Sequence, residues 1–388
     1  MRKIKNMKKI IKLFFNDIRD LLVRILPNHS NPHEYNFAFI VHPRNMRDVL
    51  EQYPFLKIIP EKVIEFFLRH HWPIVVTSIR GLKSRIDGES VRGWMIAIPL
   101  TAKQMLKDKD LARKKVLQAV VLAEKMGAKI VGLGAFTSSV TEGGKDVIGK
   151  TKVSVTSGNT LTAAIATGDI EDYLAKEPSI NTVAVIGATG SIGSAIAKEI
   201  STNKKHSISK LILMSRTLQN IEALEKEITS LPDKRDLTIM ATTDIMNIRE
   251  ADLIVVTTSA EGAVMKSEYL KENAVIYDLT QPKNTPKELL TERKDVKFID
   301  GGLISAPNIT YRFNLGLPEG ALFSCLTETM ILAGEKVKDG GFVGKVDHNN
   351  LQKMRELAKG YGFISFAKNA TLKLTDNSET AMSRLRTD

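Results

Sequence analysis

One stretch, VAVIGATGSIGSAIAKEI at residues 183–200, limits what this chain can fold into more than any other. A β-branched apolar run ends at Gly187, two more glycines follow at Gly190 and Gly193, and a helical pattern opens at Ser191. In such a setting the first glycine permits a tight turn, the second lets backbone approach a pyrophosphate, and the third lets the helix pack closely. The helix N-terminus adds free N–H groups and a favourable dipole. The spacing is GxxGxxG rather than GxGxxG, so the triplet alone is a weak signal. The strand before it and the helix after it make it a strong one. Thr189, Ser191 and Ile192 lie within the loop and share its expected contact with a dinucleotide.

The surroundings agree. TVAVIG, KLILMS, LTIMAT, ADLIVVTT, AVIYDL and VKFIDGG alternate with helical stretches from residue 181 to 305, the pattern of a parallel sheet with helices on both faces. The second strand ends in Ser215, Arg216 and Thr217 where an NAD site usually carries an acidic residue, so the expected cofactor is NADPH. The alternative is that Arg216 is an exposed helix-start residue. Thr257 and Thr258 end a later strand, where such a sheet faces its cofactor.

Before this Rossmann-type unit, NFAFIVH, WPIVVTSIRG, VRGWMIAIPL and AKIVGLGAF read as strands, with helices in residues 44–71, broken near Pro54 and Pro60, and in 101–127. TSSVTEGG reads as a small-residue loop. The expected fold is α/β: an N-terminal α/β substrate domain at 36–180, a Rossmann-type NADP-binding domain with a parallel sheet at 181–305, and a C-terminal helical segment at 306–370 closing the cleft. Residues 27–35 read as a linker and 371–388 as a loose tail.

Half of the chain's formal net charge of +12 falls in residues 1–26, where eight basic side chains face Asp17 and Asp20. Ile4, Met7, Ile11, Phe14, Ile18, Leu21, Leu22 and Ile25 recur at helical spacing, so the segment reads as a basic amphipathic helix. It either lies on an anionic membrane surface or packs on protein. Charges interrupt it too often for a span or a signal peptide. The basic excess favours anionic partners, with no nucleic acid expected. One cysteine rules out an internal disulfide and fits a cytoplasmic setting, peripheral to the membrane if residues 1–26 bind lipid.

That cysteine, Cys325, sits in PEGALFSCLTETM after Pro318 and Gly320, which suggest a helix start that would lower its pKa. A thiolate there could accept an acyl group from a thioester. A small buried core residue is the competing reading.

LGAFTSS, TSGNTLTAAI, VAVIGATGSIGSAI, SRT, PKN (Pro282 to Asn284) and LFSCLTETMIL, in that order between about residues 37 and 367, resemble the long-chain fatty acyl-[acyl-carrier-protein] reductases that make fatty aldehydes. The resemblance implies that Cys325 carries the acyl group, with Glu328 and Met330 at the family offsets, and that NADPH reduces it. It implies acyl carrier protein or a coenzyme A thioester as partner. Gly158, Asn159 and Thr160 match a family loop at the cofactor and substrate cleft, where Asn159 and Thr160 would orient the nicotinamide or the thioester carbonyl; an Asx-type turn capping the next helix is the plainer reading. Thr137, Ser138 and Ser139 offer hydroxyls after a strand, the plainer reading being that they satisfy backbone in a loop. Two departures stand out: Leu161 replaces the histidine of a GNTHTA pattern, and DLTQPKN replaces DGGYPKN.

His42 follows the first strand and loosely matches a family position, whereas the other histidines read as surface or linker residues. No spacing suits a zinc site, so no metal is expected. Two other functions stay open: a dehydrogenase of a small carbonyl or hydroxyl substrate, and a membrane-associated NADPH-binding protein without catalysis.

Overall fold

The computed structural model describes residues 35–259, 264–338 and 341–367. The expected helix at 1–26 and the tail at 371–388 lie outside the described residues.

The first unit is a five-stranded sheet made of β1 (Asn36–Val41), β2 (Ile74–Lys83), β3 (Ser90–Ala97), β4 (Ala128–Leu133) and β5 (Ser154–Thr156), in the order β2-β3-β1-β4-β5. All pairings are parallel except β2 with β3. Its helices are α1 (Met46–Gln52), α2 (Glu61–His70), α3 (Ala102–Lys107), α4 (Lys109–Lys125), α5 (Phe136–Val140) and α6 (Asn159–Lys176). Successive residues of β1 point to opposite faces. Ala38 and Ile40 join the core under α3 and α4, while Phe37 and Phe39 join a second core on the other face.

The second unit has six parallel strands, β6 (Thr182–Ile186), β7 (Lys210–Met214), β8 (Thr238–Thr242), β9 (Leu253–Val256), β10 (Val275–Asp278) and β11 (Lys297–Asp300). Their order, β11-β10-β9-β6-β7-β8, is the doubly wound arrangement, with the crevice at the reversal point between β6 and β9. Helices α7 (Ser191–Thr202), α8 (Leu218–Thr229) and α9 (Lys287–Glu292) accompany it. Both faces are apolar: Val183, Val185, Leu211 and Val255 on one, Ala184, Ile186, Ile212 and Ile254 on the other. Strands buried on both faces explain the continuous apolar runs in this half.

Beyond residue 301 come β12 (Leu303–Ser305), β13 (Ala321–Phe323), α10 (Ser324–Gly334), α11 (His348–Gly360) and β14 (Ile364–Ser365); the three strands form a small antiparallel sheet. Helix α10 lies on β1, β4 and α6, and Leu326, Met330 and Ile331 share a core with Phe37, Phe39 and Met95. The segment at 306–370 is therefore not only a cover for the cleft: it completes the first unit. Helix α6 links the units, with Leu161 and Ala164 in the first core and Ile170 and Leu174 in that of the second.

Candidate active site

The C-terminal ends of both sheets open on one cleft of about 570 Å³. Val41, Gly134 and Ser157 line it from the first unit, Gly190, Thr257 and Leu279 from the second, and Cys325 from the C-terminal segment.

On the second-unit wall the glycine loop is tied down from several sides. The N–H groups of Gly187 and Ala188 donate to the Met214 carbonyl, and Gly190 N–H closes a turn on Gly187 O at 2.9 Å. Gly187 has φ +82°, and a side chain there would meet the Thr258 backbone at 2.8 Å; one at Gly193 would meet Gly187 O at 2.4 Å. At Gly190 only Gly187 O lies near, at 3.2 Å, so the loop is open toward the cleft. Gly190 is the N-cap of the twelve-residue α7 with no side-chain cap, which leaves first-turn N–H groups for an anion. Open glycine backbone and an uncapped helix start fit the pyrophosphate of a dinucleotide.

Other sequence-predicted cofactor residues divide into framework and free groups. Thr257 Oγ1 is bonded to Ile186 O at 2.8 Å and so holds the loop rather than a ligand. Thr189 and Ser215 bond each other at 2.7 Å, fastening the loop to the end of β7. Ser191 Oγ donates to Gly344 O, while Ser191 and Ile192 both line the cleft. Arg216 and Thr217 are exposed just beyond β7, where an adenosine phosphate would lie. Asn284, picked up in the sequence only within PKN, is buried with its Nδ2 donating to Thr258 O, and its Oδ1 has no partner among the described residues. It lines the cleft and is the acceptor suited to a carboxamide N–H.

On the opposite wall Cys325 is the second residue of α10 and half-buried. The expected N-terminal lowering of its pKa does not occur: burial pushes the thiol up to about 12, and the nearby Glu328 carboxylate adds to this. The backbone N–H groups of Leu326, Cys325 and Ala135 oppose the shift without cancelling it. Ala135 sits at φ +48°, ψ −122°, a conformation rare outside glycine, on the wall of the cleft that Cys325 also lines. Residue type gave no signal of it.

Gly158 packs directly on the cysteine: a Cβ at this position, where φ is +72°, would lie 2.2 Å from Cys325 Cβ. Glu328 is fully buried and holds the loop there, taking a hydrogen bond from Thr156 Oγ1 and one from Leu161 N–H at 2.6 Å. Burial pushes its carboxyl up to about 7, against the pull of Thr156 and the amides of Leu161, Gly158 and Thr160. Asn159 and Ser138 line the cleft. Thr160 and Thr137 do not: both are buried, and Thr137 Oγ1 donates to Gly134 O at 2.8 Å. The loop expected at TSSVTEGG begins as the short helix α5, which carries Thr137 inward. Lys283 donates to Asp278 O and pairs with Asp300 at 2.6 Å.

A glycine-loop nucleotide site facing an isolated cysteine across a two-unit cleft defines a dehydrogenase or reductase of the NAD(P)-binding α/β class. The model of the Shikimate / quinate 5-dehydrogenase family matches residues 171–300. The aminotransferase PigE of a Serratia strain is 27% identical over 293 residues, 72% of this chain and 33% of its own, so this chain spans about a third of that relative. The long-chain acyl-[acyl-carrier-protein] reductase of Synechococcus elongatus is 30% identical over 278 residues, 68% of this chain and 76% of its own. Among solved structures, a quinate dehydrogenase from Corynebacterium glutamicum in complex with NAD aligns over 84% of this chain and 99% of its own at 14% identity, with a TM-score of 0.36. The chain belongs to the family of the Synechococcus reductase.

Proposed function

We propose that this protein reduces long-chain fatty acyl thioesters, carried by acyl carrier protein or coenzyme A, to fatty aldehydes with NADPH. The observation that carries the reading is the placement of Cys325 on the wall of the cleft that the glycine loop also lines.

In this reading the Cys325 sulfur attacks the thioester carbonyl and expels the carrier thiol, leaving an acyl-cysteine. The first-turn amides of α10, which has no side-chain cap, also suit the oxyanion that develops during attack, more closely than the buried Thr160 does. Gly187, Gly190, Gly193 and the start of α7 hold the pyrophosphate, Arg216 the adenosine phosphate and Asn284 Oδ1 the carboxamide. The bound cofactor supplies hydride to the acyl carbon. Collapse of the resulting hemithioacetal releases the aldehyde and returns the cysteine. Leu161 does not disturb this scheme, because its side chain is buried in the first core.

An acidic carrier matches the chain's +12 charge, and residues 1–26 would bring the enzyme to an anionic membrane surface that receives the aldehyde. The test is intact mass after incubation with a long-chain acyl thioester, without and then with NADPH. Wild type gains one acyl group and loses it as aldehyde, whereas Cys325→Ala gains none. Turnover by Cys325→Ala would instead favour a direct dehydrogenase of a small carbonyl substrate.

A further inference from the structure

The loop at residues 341–345, GFVGK, takes no part in the steps above, yet both units hold it. From the first unit, Ser157 donates to Phe342 O through its N–H at 2.8 Å and its Oγ at 3.0 Å. From the second, Ser191 at the first position of α7 donates its Oγ to Gly344 O at 2.8 Å. Gly344 N–H in turn donates to Gly143 O at 3.1 Å, which lays this loop on the turn at Glu142–Val147. Both glycines are left-handed, at φ +78° and +69°, and neither has room for a side chain. A Cβ on Gly143 would meet Gly344 N at 3.0 Å, and one on Gly344 would meet Lys145 Cε at 2.9 Å.

The two turns stack closely, and each carries a lysine just after its glycine stretch. Lys145 lies across Gly344, and Lys345 is the next residue along. Both line the cleft, both are exposed, and neither has a hydrogen bond or ion pair among the described residues. The other charges on the cleft wall are mostly matched, Arg44 with Asp48 and Glu51 with Arg47, so that Glu142 alone opposes the two lysines. This excess of positive charge falls where Gly344 is bonded to Ser191, beside the open Gly190 backbone and the uncapped start of α7.

We infer that Lys145 and Lys345 flank the pyrophosphate of the bound dinucleotide. The cofactor is then held on one side by the glycine loop and on the other by lysines from the first unit and the C-terminal segment. Backbone N–H groups supply directed hydrogen bonds, and the ammonium groups supply the point charges that offset those of the two phosphates. NADPH and NADH share this pyrophosphate, so the pair serves both alike. A phosphate of coenzyme A or of a carrier protein's prosthetic group is the same chemistry from another source; the bond from Ser191 to Gly344 favours the cofactor. The inference rests on the nucleotide site alone, so it can fail while the thioester reading stands, and the reverse.

The test is calorimetric titration of the full chain with NADPH, NADH and coenzyme A, no acyl group being present. It compares wild type, Lys145→Ala, Lys345→Ala, the double variant and Lys150→Ala. Lys150 is exposed and off the cleft wall, so it removes the same charge from elsewhere. Each single substitution in the pair should weaken NADPH and NADH by the same factor, about threefold to tenfold, between the effect of a screened surface pair and that of a full charged hydrogen bond. The double variant should lose more, Lys145→Arg should keep most of the affinity, and Lys150→Ala should match wild type. Melting temperatures without nucleotide should not move, because both side chains are exposed. Unchanged dinucleotide affinity in the double variant would overturn the inference. So would equal weakening by Lys150→Ala, which would leave only a long-range effect of net charge, and so would a loss confined to coenzyme A, which would assign the lysines to the carrier's phosphate.

Discussion

At the scale of single residues the site rests on Gly158 and Glu328 as much as on Cys325. Gly158 holds a left-handed conformation that costs a non-glycine residue about 1–2 kcal/mol, and it has no room for a Cβ beside Cys325. Gly158→Ala should therefore lower stability by at least that amount in a urea titration and alter Cys325 alkylation, whereas alanine at Gly88, also left-handed at φ +76° but with nothing within 4 Å, should cost only the backbone strain and leave reactivity unchanged. Glu328 predicts a pH effect with a definite sign. Its carboxyl titrates at about 7 when folded against an ordinary 4.5, so the folded state binds this proton more tightly and stability from this group falls as pH rises through that window. The stability gap between wild type and Glu328→Gln should shrink from pH 5 to pH 8; a gap that widens would mean the carboxylate sits ionised. His206 acts in the opposite sense: burial, with Arg235 beside it, lowers it to about 4, so stability is lost as pH falls from 6.5 toward 4. The cysteine and the Gly158 to Thr160 loop could be singled out from sequence by residue type and motif. Their contact could not, since 167 positions separate Gly158 from Cys325 and only the fold joins them.

At the scale of elements the second unit was the most legible. Its strands are buried on both faces and its helices are bounded by glycines and polar residues, so periodicity and length gave nearly the observed limits: α8 runs over Leu218–Thr229 and β6 over Thr182–Ile186. The small sheet β12-β13-β14 was missed because strands of three, three and two residues carry no period to detect. Helix α5 was missed for a related reason: five residues rich in Ser and Thr look like a loop until Phe136 and Val140 are seen to be buried. The end of β7 yields the prediction that belongs here. Arg216 is exposed and bonded to no described residue, so removing it should leave the fold unchanged and act only on the ligand. A hydrogen bond to a charged group contributes about 1.5–3 kcal/mol. Arg216→Ala should therefore weaken NADPH binding by roughly tenfold to a hundredfold while changing NADH binding little, as read from quenching of protein fluorescence. Equal weakening of both would mean that Arg216 does not meet the 2′-phosphate.

At the scale of the whole molecule the two sheets are not separate bodies joined by a linker, and this is where sequence reading fell short. A boundary at residues 180 and 305 follows from the change in pattern, but it hides that α10 returns across the chain to cover the Phe37 and Phe39 face of the first sheet. Cys325 therefore rides on a helix whose apolar side is the core of the first unit and whose first turn lines the cleft shared with the second. Packing and chemistry should then respond together. Met330 is fully buried in that shared core, and truncating such a residue to alanine costs about 2–5 kcal/mol. The chain's two tryptophans, Trp72 and Trp94, both lie in the first unit, so their fluorescence follows that unit alone while far-UV circular dichroism follows both. In Met330→Ala the two signals should shift to lower denaturant together, as one transition, because α6 and α10 couple the sheets. A fluorescence transition that moves ahead of the dichroism would show instead that the nucleotide-binding sheet stands by itself, and that α10 secures the cysteine without securing the molecule.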